Sequence, residues 1–427
     1  MAEAKQIQAL EQERIPRLLF NYAVPAVVGT VVNSLYNIVD RIFIGQGVSE
    51  YALSGLAITF PILLFLQAFG MLVGAGASVR VSILLGQRNT PRAEQTLANA
   101  VYLTLVTQIL TIIPCYIYME PLLRLFGASD RTLPYAVEYL RIVIPANFFA
   151  AFSFGYNAIM RASGYPRKAM TTMLLSALIN VVLDYIFIYP LGMGIRGAAI
   201  ATAIAMVICA VYVLAHFFLP SSIVRFRRTA FRPSWAIVRA ITAIGIAPFA
   251  MQLTGSAVNV LMNRSFVAYG TTPEESDLAI GAFGIISSYA MLIVMLILGV
   301  AQGMQPIVGF NYGARHMHRV RMTYAYSAGT NLFFSLVGFA VAELDPRAIV
   351  SLFTTSEPLI ALCTTALRIG IMGVSLIGFQ ITTTQLFQSI GFSRLAIFLS
   401  LTRQLIFLAP ALLILPRFLG LDGVWWS

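Results

Sequence analysis

Charge is what this sequence has least of. Only 11% of its 427 residues are Asp, Glu, Lys or Arg, where soluble globular chains carry roughly 25%. Acidic residues number just 17. A chain this poor in charge cannot clothe a water-facing surface, and with 59% hydrophobic residues and a mean hydropathy of +0.82 most of that surface must face lipid. Cysteine is scarce too: Cys115, Cys209 and Cys363 lie far apart inside apolar runs, which excludes a disulfide framework and thiolate metal spacing. There are three histidines, and the one close pair, His316 and His318, sits in a basic loop, so the sequence offers no His-based metal site or catalytic pair. Before Leu18 the chain begins MAEAKQ, without an apolar signal-peptide core or a small-residue cleavage site, so the first apolar run is expected to be a retained helix.

Long apolar runs are what the sequence does have. Segments 97–119 and 198–219 continue for about 20 residues without a charge, enough to cross a hydrocarbon core roughly 30 Å thick. Lipid cannot satisfy backbone N–H and C=O groups, so such runs must be helices. Helices are expected near 18–44, 51–86, 93–118, 132–160, 168–189, 197–219, 236–267, 278–311, 319–342, 358–388 and 394–415. A twelfth opens at Gly423 and is expected to be cut short at Ser427. The fold class is therefore an all-α polytopic membrane protein. The net charge of +11 could suggest nucleic acid, but the basic residues sit in alternate short loops: Arg14 and Arg17, Arg88 and Arg92, Arg161 to Lys168, Arg225 to Arg239, Arg315 to Arg321, and Arg394. That alternation orients a membrane protein, placing these loops and the N-terminus in the cytoplasm and the chain in the inner membrane, with lipid rather than nucleic acid as its surroundings.

Sliding the chain along itself exposes a repeat. At an offset of 227 residues (352 − 125), Leu125-Phe126 falls on Leu352-Phe353, Arg141-Ile142 on Arg368-Ile369, Gly164 on Gly391, Arg167 on Arg394 and Gly76 on Gly303. Pro25 and Arg41 fall on Pro248 and Arg264 at a slightly smaller offset. The expected organisation is an N-terminal lobe of six helices (1–220), a basic cytoplasmic linker (221–235) and a homologous C-terminal lobe (236–427). Each lobe starts inside and holds an even number of helices, so a pseudo-two-fold along the membrane normal relates them, with a substrate site between.

Two acids interrupt apolar helical sequence, Asp40 and Asp184. An ionisable group at membrane depth costs roughly 3 kcal/mol on insertion scales and marks a functional site by default. Asn33, Asn37 and Asp40 form one polar stripe, and Asn180 and Asp184, four residues apart, are neighbours on one face of the fifth helix. Counted from the helix ends at about 1.5 Å per residue, Asp40 lies about 7 Å before Gly45, Asp184 about 9 Å before Pro190 and Thr202 about 8 Å inside the turn at Gly197. Three helices thus offer oxygens at one level. Two carboxylates, an amide oxygen and a hydroxyl suit a hard cation or a shared proton, titrating as a coupled pair. The competing structural reading pairs Asp40 with Arg41 or caps a broken helix. The repeat puts Asn263 at the place of Asp40 and no acid at that of Asp184, and leaves the second half an uncharged stripe of Gln252, Asn259 and Asn263. Ion coupling therefore belongs to the first half.

The segment Asn37-Ile-Val-Asp-Arg-Ile-Phe-Ile-Gly45, the segment Asn180-Val-Val-Leu-Asp184-Tyr and the turn Gly194-Ile-Arg-Gly197-Ala-Ala-Ile-Ala-Thr202 resemble the motifs of multidrug and toxic compound extrusion (MATE) transporters, and the resemblance spans essentially the whole chain. It implies rocker-type alternating access, in which H+ or Na+ binding in the N-terminal lobe drives export of organic cations or amphipathic compounds. It assigns Asp40, Asn180, Asp184 and Thr202 to the cation site, and implies no cofactor beyond the coupling ion. A monomer is expected. Tyr139, Phe149, Phe152, Phe154 and Asn157 are candidates to line a central substrate cavity together with Gln252, Asn259 and Asn263; Asn33, Asn37 and Asn157 are secondary polar positions. A lipid-linked precursor flippase of the same superfamily is the nearest alternative and would use inward arginines such as Arg80, Arg161 and Arg264. An intramembrane enzyme would need a paired catalytic constellation, which the sequence lacks. A passive channel would not need asymmetric buried acids.

Overall fold

Helix starts are written locally. Ser49 and Asn89 accept hydrogen bonds from the backbone N–H groups of Ala52 and Arg92, and a proline stands in the first turn of the helices opening at Ile15, Thr90, Leu133 and Pro166. Helix ends use glycine where the chain must turn left-handed: Gly164 (φ 99°) and Gly391 (φ 82°), related by the repeat, close corresponding helices.

A computed structural model describes residues 2–270, 273–351 and 357–427, and every described element is helical. In chain order these are α1 (Ala2–Gln12), α2 (Ile15–Gly47), α3 (Glu50–Gly86), α4 (Thr90–Ile117), α5 (Met119–Leu125), α6 (Leu133–Ala162), α7 (Pro166–Ile188), α8 (Gly194–His216), α9 (Trp235–Tyr269), α10 (Pro273–Gly313), α11 (Met317–Leu344), α12 (Pro346–Ser351), α13 (Glu357–Met372), α14 (Val374–Ser389), α15 (Ser393–Leu401), α16 (Ala409–Leu419) and α17 (Leu421–Trp425). Among the described residues, ten helices are long and apolar enough to cross a membrane, and α13 with α14 can form an eleventh span bent by 44°.

Four details depart from the sequence reading. The chain opens with a helix, α1, outside the apolar runs. The helix expected over 358–388 breaks at Gly373 into α13 and α14. Between α15 and α16 the chain widens into a π-helical turn, Thr402–Leu408. The basic segment 221–235 is not a free loop but is strapped to α4. Arg227 pairs with the buried Glu94 (3.1 Å), Asn99 Nδ2 donates to the Arg232 carbonyl (3.1 Å), and Asn99 Oδ1 accepts the Ser234 N–H (2.8 Å).

Helices α2, α3, α4, α6, α7 and α8 pack on one another, as do α10, α11, α13 and α14, with α15 and α16 against α9. The two sets meet where α2 touches α10 and where α3 touches α9 and α10. This seam is built on glycine. A methyl group on Gly76 or Gly245 would overlap the backbone of the facing helix at Ile241 or Leu72, one on Gly303 or Gly299 would meet Ala23 or Val27, and one on Gly86 or Gly313 would meet Phe310 or Ile83. Without side chains the backbones approach closely and gain dense contact, the way helices associate in lipid. Two buried polar contacts cross the same region, Gln305 Nε2 to Ser78 Oγ (3.0 Å) and Thr30 Oγ1 to the Met295 carbonyl (3.1 Å). The Phe69 and Phe249 rings meet edge to face at 4.9 Å. Among the described residues, the hydrogen bonds, ring contacts and glycine contacts across the seam lie between the basic turns, 86–90 and 313–317, and the level of Thr30 and Phe69. Beyond it Asn33, Leu35, Asn37, Ile38, Arg41 and Ile42 of α2 are exposed.

Candidate functional site

The first half encloses a cluster of oxygens. α7 carries Asn180 and Asp184 one turn apart on its inner face, and both are buried, Asp184 completely. α2 brings Asp40, 8% exposed, so that its carboxyl group lies against that of Asp184. α8 adds Thr202, whose hydroxyl oxygen accepts from Asn180 Nδ2 at 3.2 Å. Sequence reasoning places Tyr139 with the substrate cavity; it comes instead from α6 into this cluster, buried, with its hydroxyl against that of Thr202. Tyr36, one turn before Asp40 on α2, faces the same acids and is absent from the sequence-based candidates, although its spacing of four residues would have found it.

Several acceptors of the cluster stand without a donor in bonding geometry. Asp40 Oδ1, both carboxylate oxygens of Asp184 and Asn180 Oδ1 are buried without a hydrogen-bond partner. Neither aspartate takes part in an ion pair among the described residues. Arg41 does not supply one: its guanidinium lies over the Phe60 ring, 5.7 Å from the centroid. Leaving buried acceptors unsatisfied costs about 1–3 kcal/mol each, more when charged. Two carboxylates buried against each other therefore call for positive charge, as a bound cation or as protons.

The remaining candidates are scattered. Asn33 and Asn37 are exposed on α2, with Asn37 Nδ2 bonded to the Asn33 carbonyl. Phe152 is buried and stacks on Tyr156 at 5.5 Å, and Asn157 is buried and donates to the Ala169 carbonyl at 2.8 Å. Both are packing residues of the first half. Phe149 and Phe154 are exposed at 37% and 38%. Gln252 is half-buried on α9, and the side chains of Asn259 and Asn263 lie outside the described residues.

A family model, MatE, matches residues 25–186 and 271–413, two stretches that make up most of the chain. The chain belongs to the MatE family. Relatives include the multidrug export protein MepA of Staphylococcus haemolyticus, 26% identical over 99% of this chain and 92% of its own length, and MepA of Staphylococcus aureus (strain MSSA476), 25% identical over the same shares. Among solved structures, an outward-facing multidrug resistance MATE family transporter of the MOP superfamily superposes with a TM-score of 0.91 at 27% identity, covering 99% of this chain and 93% of that one. A MOP superfamily transporter from Pyrococcus furiosus, described as having a binding pocket of reversed polarity that suggests a different function, matches with the same score, identity and coverage. A MatE chain with these spans is a multi-pass membrane transporter and not an enzyme.

Within this MatE chain, Thr202→Val tests the cluster's internal bonding. The change keeps side-chain volume but removes the acceptor for Asn180 and the partner of Tyr139. We expect a several-fold fall in transport rate, equivalent to about 1 kcal/mol, with unchanged membrane insertion, measured as initial efflux per unit of membrane protein.

Proposed function

We propose that the protein is a secondary active antiporter that exports organic cations or amphipathic drugs in exchange for H+ or Na+ by alternating access. One observation carries the reading: two aspartates buried side by side, in no ion pair among the described residues and with oxygens left unbonded. Such a pair is costly empty and satisfied by a cation, so its occupancy changes with the ion gradient. Asp40 and Asp184 carry the coupling charge, and Asn180 and Thr202 supply neutral oxygens. The relatives named as multidrug export proteins support the substrate class. A cleft between the halves is the proposed route, with exposed Phe149 and half-buried Gln252 as its candidate linings.

The proposed organisation is an N-lobe (1–220), a linker (221–235) and a C-lobe (236–427) about a pseudo-two-fold axis, functioning as a monomer with the N-terminus in the cytoplasm of a cell bounded by this inner membrane. Seam contacts support the axis. Under the offset of 227, the contact of Gly86 with Phe310 becomes that of Gly313 with Ile83. Ser78 and Gln305 are each other's counterparts and bond to each other; Ser82 and Gly309 are counterparts and touch. Residues that pair with their own counterparts lie on an axis between α3 and α10.

Counterflow in proteoliposomes tests the reading. With labelled organic cation inside and a pH or Na+ gradient imposed separately, one gradient is expected to accelerate efflux at least tenfold over vesicles without it. Efflux indifferent to both would leave a passive pathway and sink the antiport mechanism.

A further inference from the structure

The closed side of the seam carries a device that the ion site does not explain. α1 lies across it. Leu10 is 1% exposed and packs in one apolar cluster with Ile307, Val308 and Phe310 of α10. Gln6 lies over Gly164 at the turn between α6 and α7, and Glu11 pairs with Arg88 (3.2 Å) at the turn between α3 and α4. α1 is continuous with α2 and thus belongs to the first half, yet its C-terminal end is held by the second. Arg319 of α11 donates through Nη2 to the carbonyls of Leu10 (3.2 Å) and Glu13 (2.9 Å), and through Nε to Asn311 Oδ1 (2.9 Å). Asn311, completely buried, donates in turn to the Leu10 carbonyl at 3.3 Å.

The last carbonyls of a helix have no partner within it and carry the negative end of its dipole. A guanidinium offering two N–H groups there is a strong cap, since hydrogen bonds to charged groups are among the stronger ones. Here the cap reaches across from the opposite half, so parting the halves on this side breaks it and exposes the carbonyls of α1.

We propose that Arg319 is a positioning residue of the transport cycle: by capping the C-terminal end of α1 it clasps the basic-loop side of the seam shut, and each cycle must release it. The inference rests on the alternating-access reading. It concerns the balance between the two access states, not the ion or the substrate.

Ser82, completely buried against Gly309, reports opening of this side. In full-length protein with Cys115, Cys209 and Cys363 replaced by Ala, Ser82→Cys is reacted with a membrane-impermeant maleimide added on the basic-loop side. Arg319→Gln is expected to raise the labelling rate on the order of tenfold, as loss of a charged hydrogen-bond pair shifts a two-state balance. Arg319→Lys, which keeps a charged donor, raises it less. Deleting residues 2–13 removes what Arg319 caps and gives a similar rise, and adding Arg319→Gln to the deletion changes nothing further. A merely structural arginine would show no such dependence on α1. Labelling that responds to the imposed ion gradient but is equal in Arg319→Gln and its parent overturns the clasp alone. A thiol at position 82 that stays unreactive in every variant and under every gradient overturns alternating access, and the clasp with it.

Discussion

Asp184→Asn reduces gradient-driven efflux to the level of empty vesicles while the protein remains folded in the membrane; this is the largest effect expected of any single substitution. Asp184 is completely buried, and both its carboxylate oxygens are without a partner. Asparagine has nearly the same volume and can donate from its amide to the carboxylate of Asp40, so the site stays filled and packing is preserved. What disappears is the ability to take up and release positive charge. An ion that binds both access states equally shifts neither, and a site that cannot bind the ion has no leverage on the balance. Asp40→Asn is expected to do the same, and the double substitution no more than either alone, because the two carboxyl groups adjoin and are proposed to hold the ion together. Efflux is compared under one imposed gradient and normalised to membrane protein, with equilibrium substrate binding measured alongside. Binding that survives while efflux is lost supports coupling. Undiminished gradient-dependent efflux in both single variants would return the aspartates to a structural role.

The second large effect belongs to the seam. Gly86→Ala and Gly313→Ala each force a methyl group into a backbone carbonyl of the facing helix, that of Phe310 in one case and Ile83 in the other. Backbone cannot swing aside as a side chain can, so each change costs at least the ~1–3 kcal/mol typical of overpacking. Because the two contacts are counterparts under the repeat, the two losses are expected to match, although the sequences around them differ. Gly329→Ala provides the control: a Cβ there meets nothing within 4 Å, and in mid-helix alanine is the better helix former. Thermal unfolding in detergent and efflux in vesicles are both expected to fall for Gly86→Ala and Gly313→Ala and to hold for Gly329→Ala. A large mismatch between the first two would count against the axis.

Much of this was legible in the residues. Apolar runs revealed the spans because lipid demands them, and the helices begin and end within a few residues of those runs where caps and first-turn prolines extend them. Asp40 and Asp184 stood out because a charge within an apolar run has few innocent explanations. Tyr36 was passed over because aromatic residues are abundant throughout this chain, although it stands one turn before Asp40, and Tyr139 was read as a cavity lining because only the packing of α6 brings it to the acids. The same ambiguity scattered the cavity candidates: Phe152 and Asn157 satisfy the core of the first half, a role that spacing alone cannot separate from lining a cleft. α1 escaped notice because it is polar and short, held in place by partners far along the chain. The break at Gly373 had a weak signal in Gly370 and Gly373, whereas the π-helical turn at Thr402–Leu408 had none that composition could register.

The strap between α8 and α9 bears on how the halves move. Segment 221–235 is unbroken polypeptide, tied to α4 by Glu94 and Asn99, and Asn99 reaches the residue from which α9 starts. At that edge the second half is moored to the first by covalent chain as well as by hydrogen bonds. α1 lies beside the same strap, with Gln6 and Ile223 both over Gly164, and it meets the second half through hydrogen bonds and apolar contact rather than through covalent chain. Under the proposed alternating access, the halves are expected to stay tethered where the strap joins α4 to the start of α9, and to rotate about that tether rather than separate in parallel.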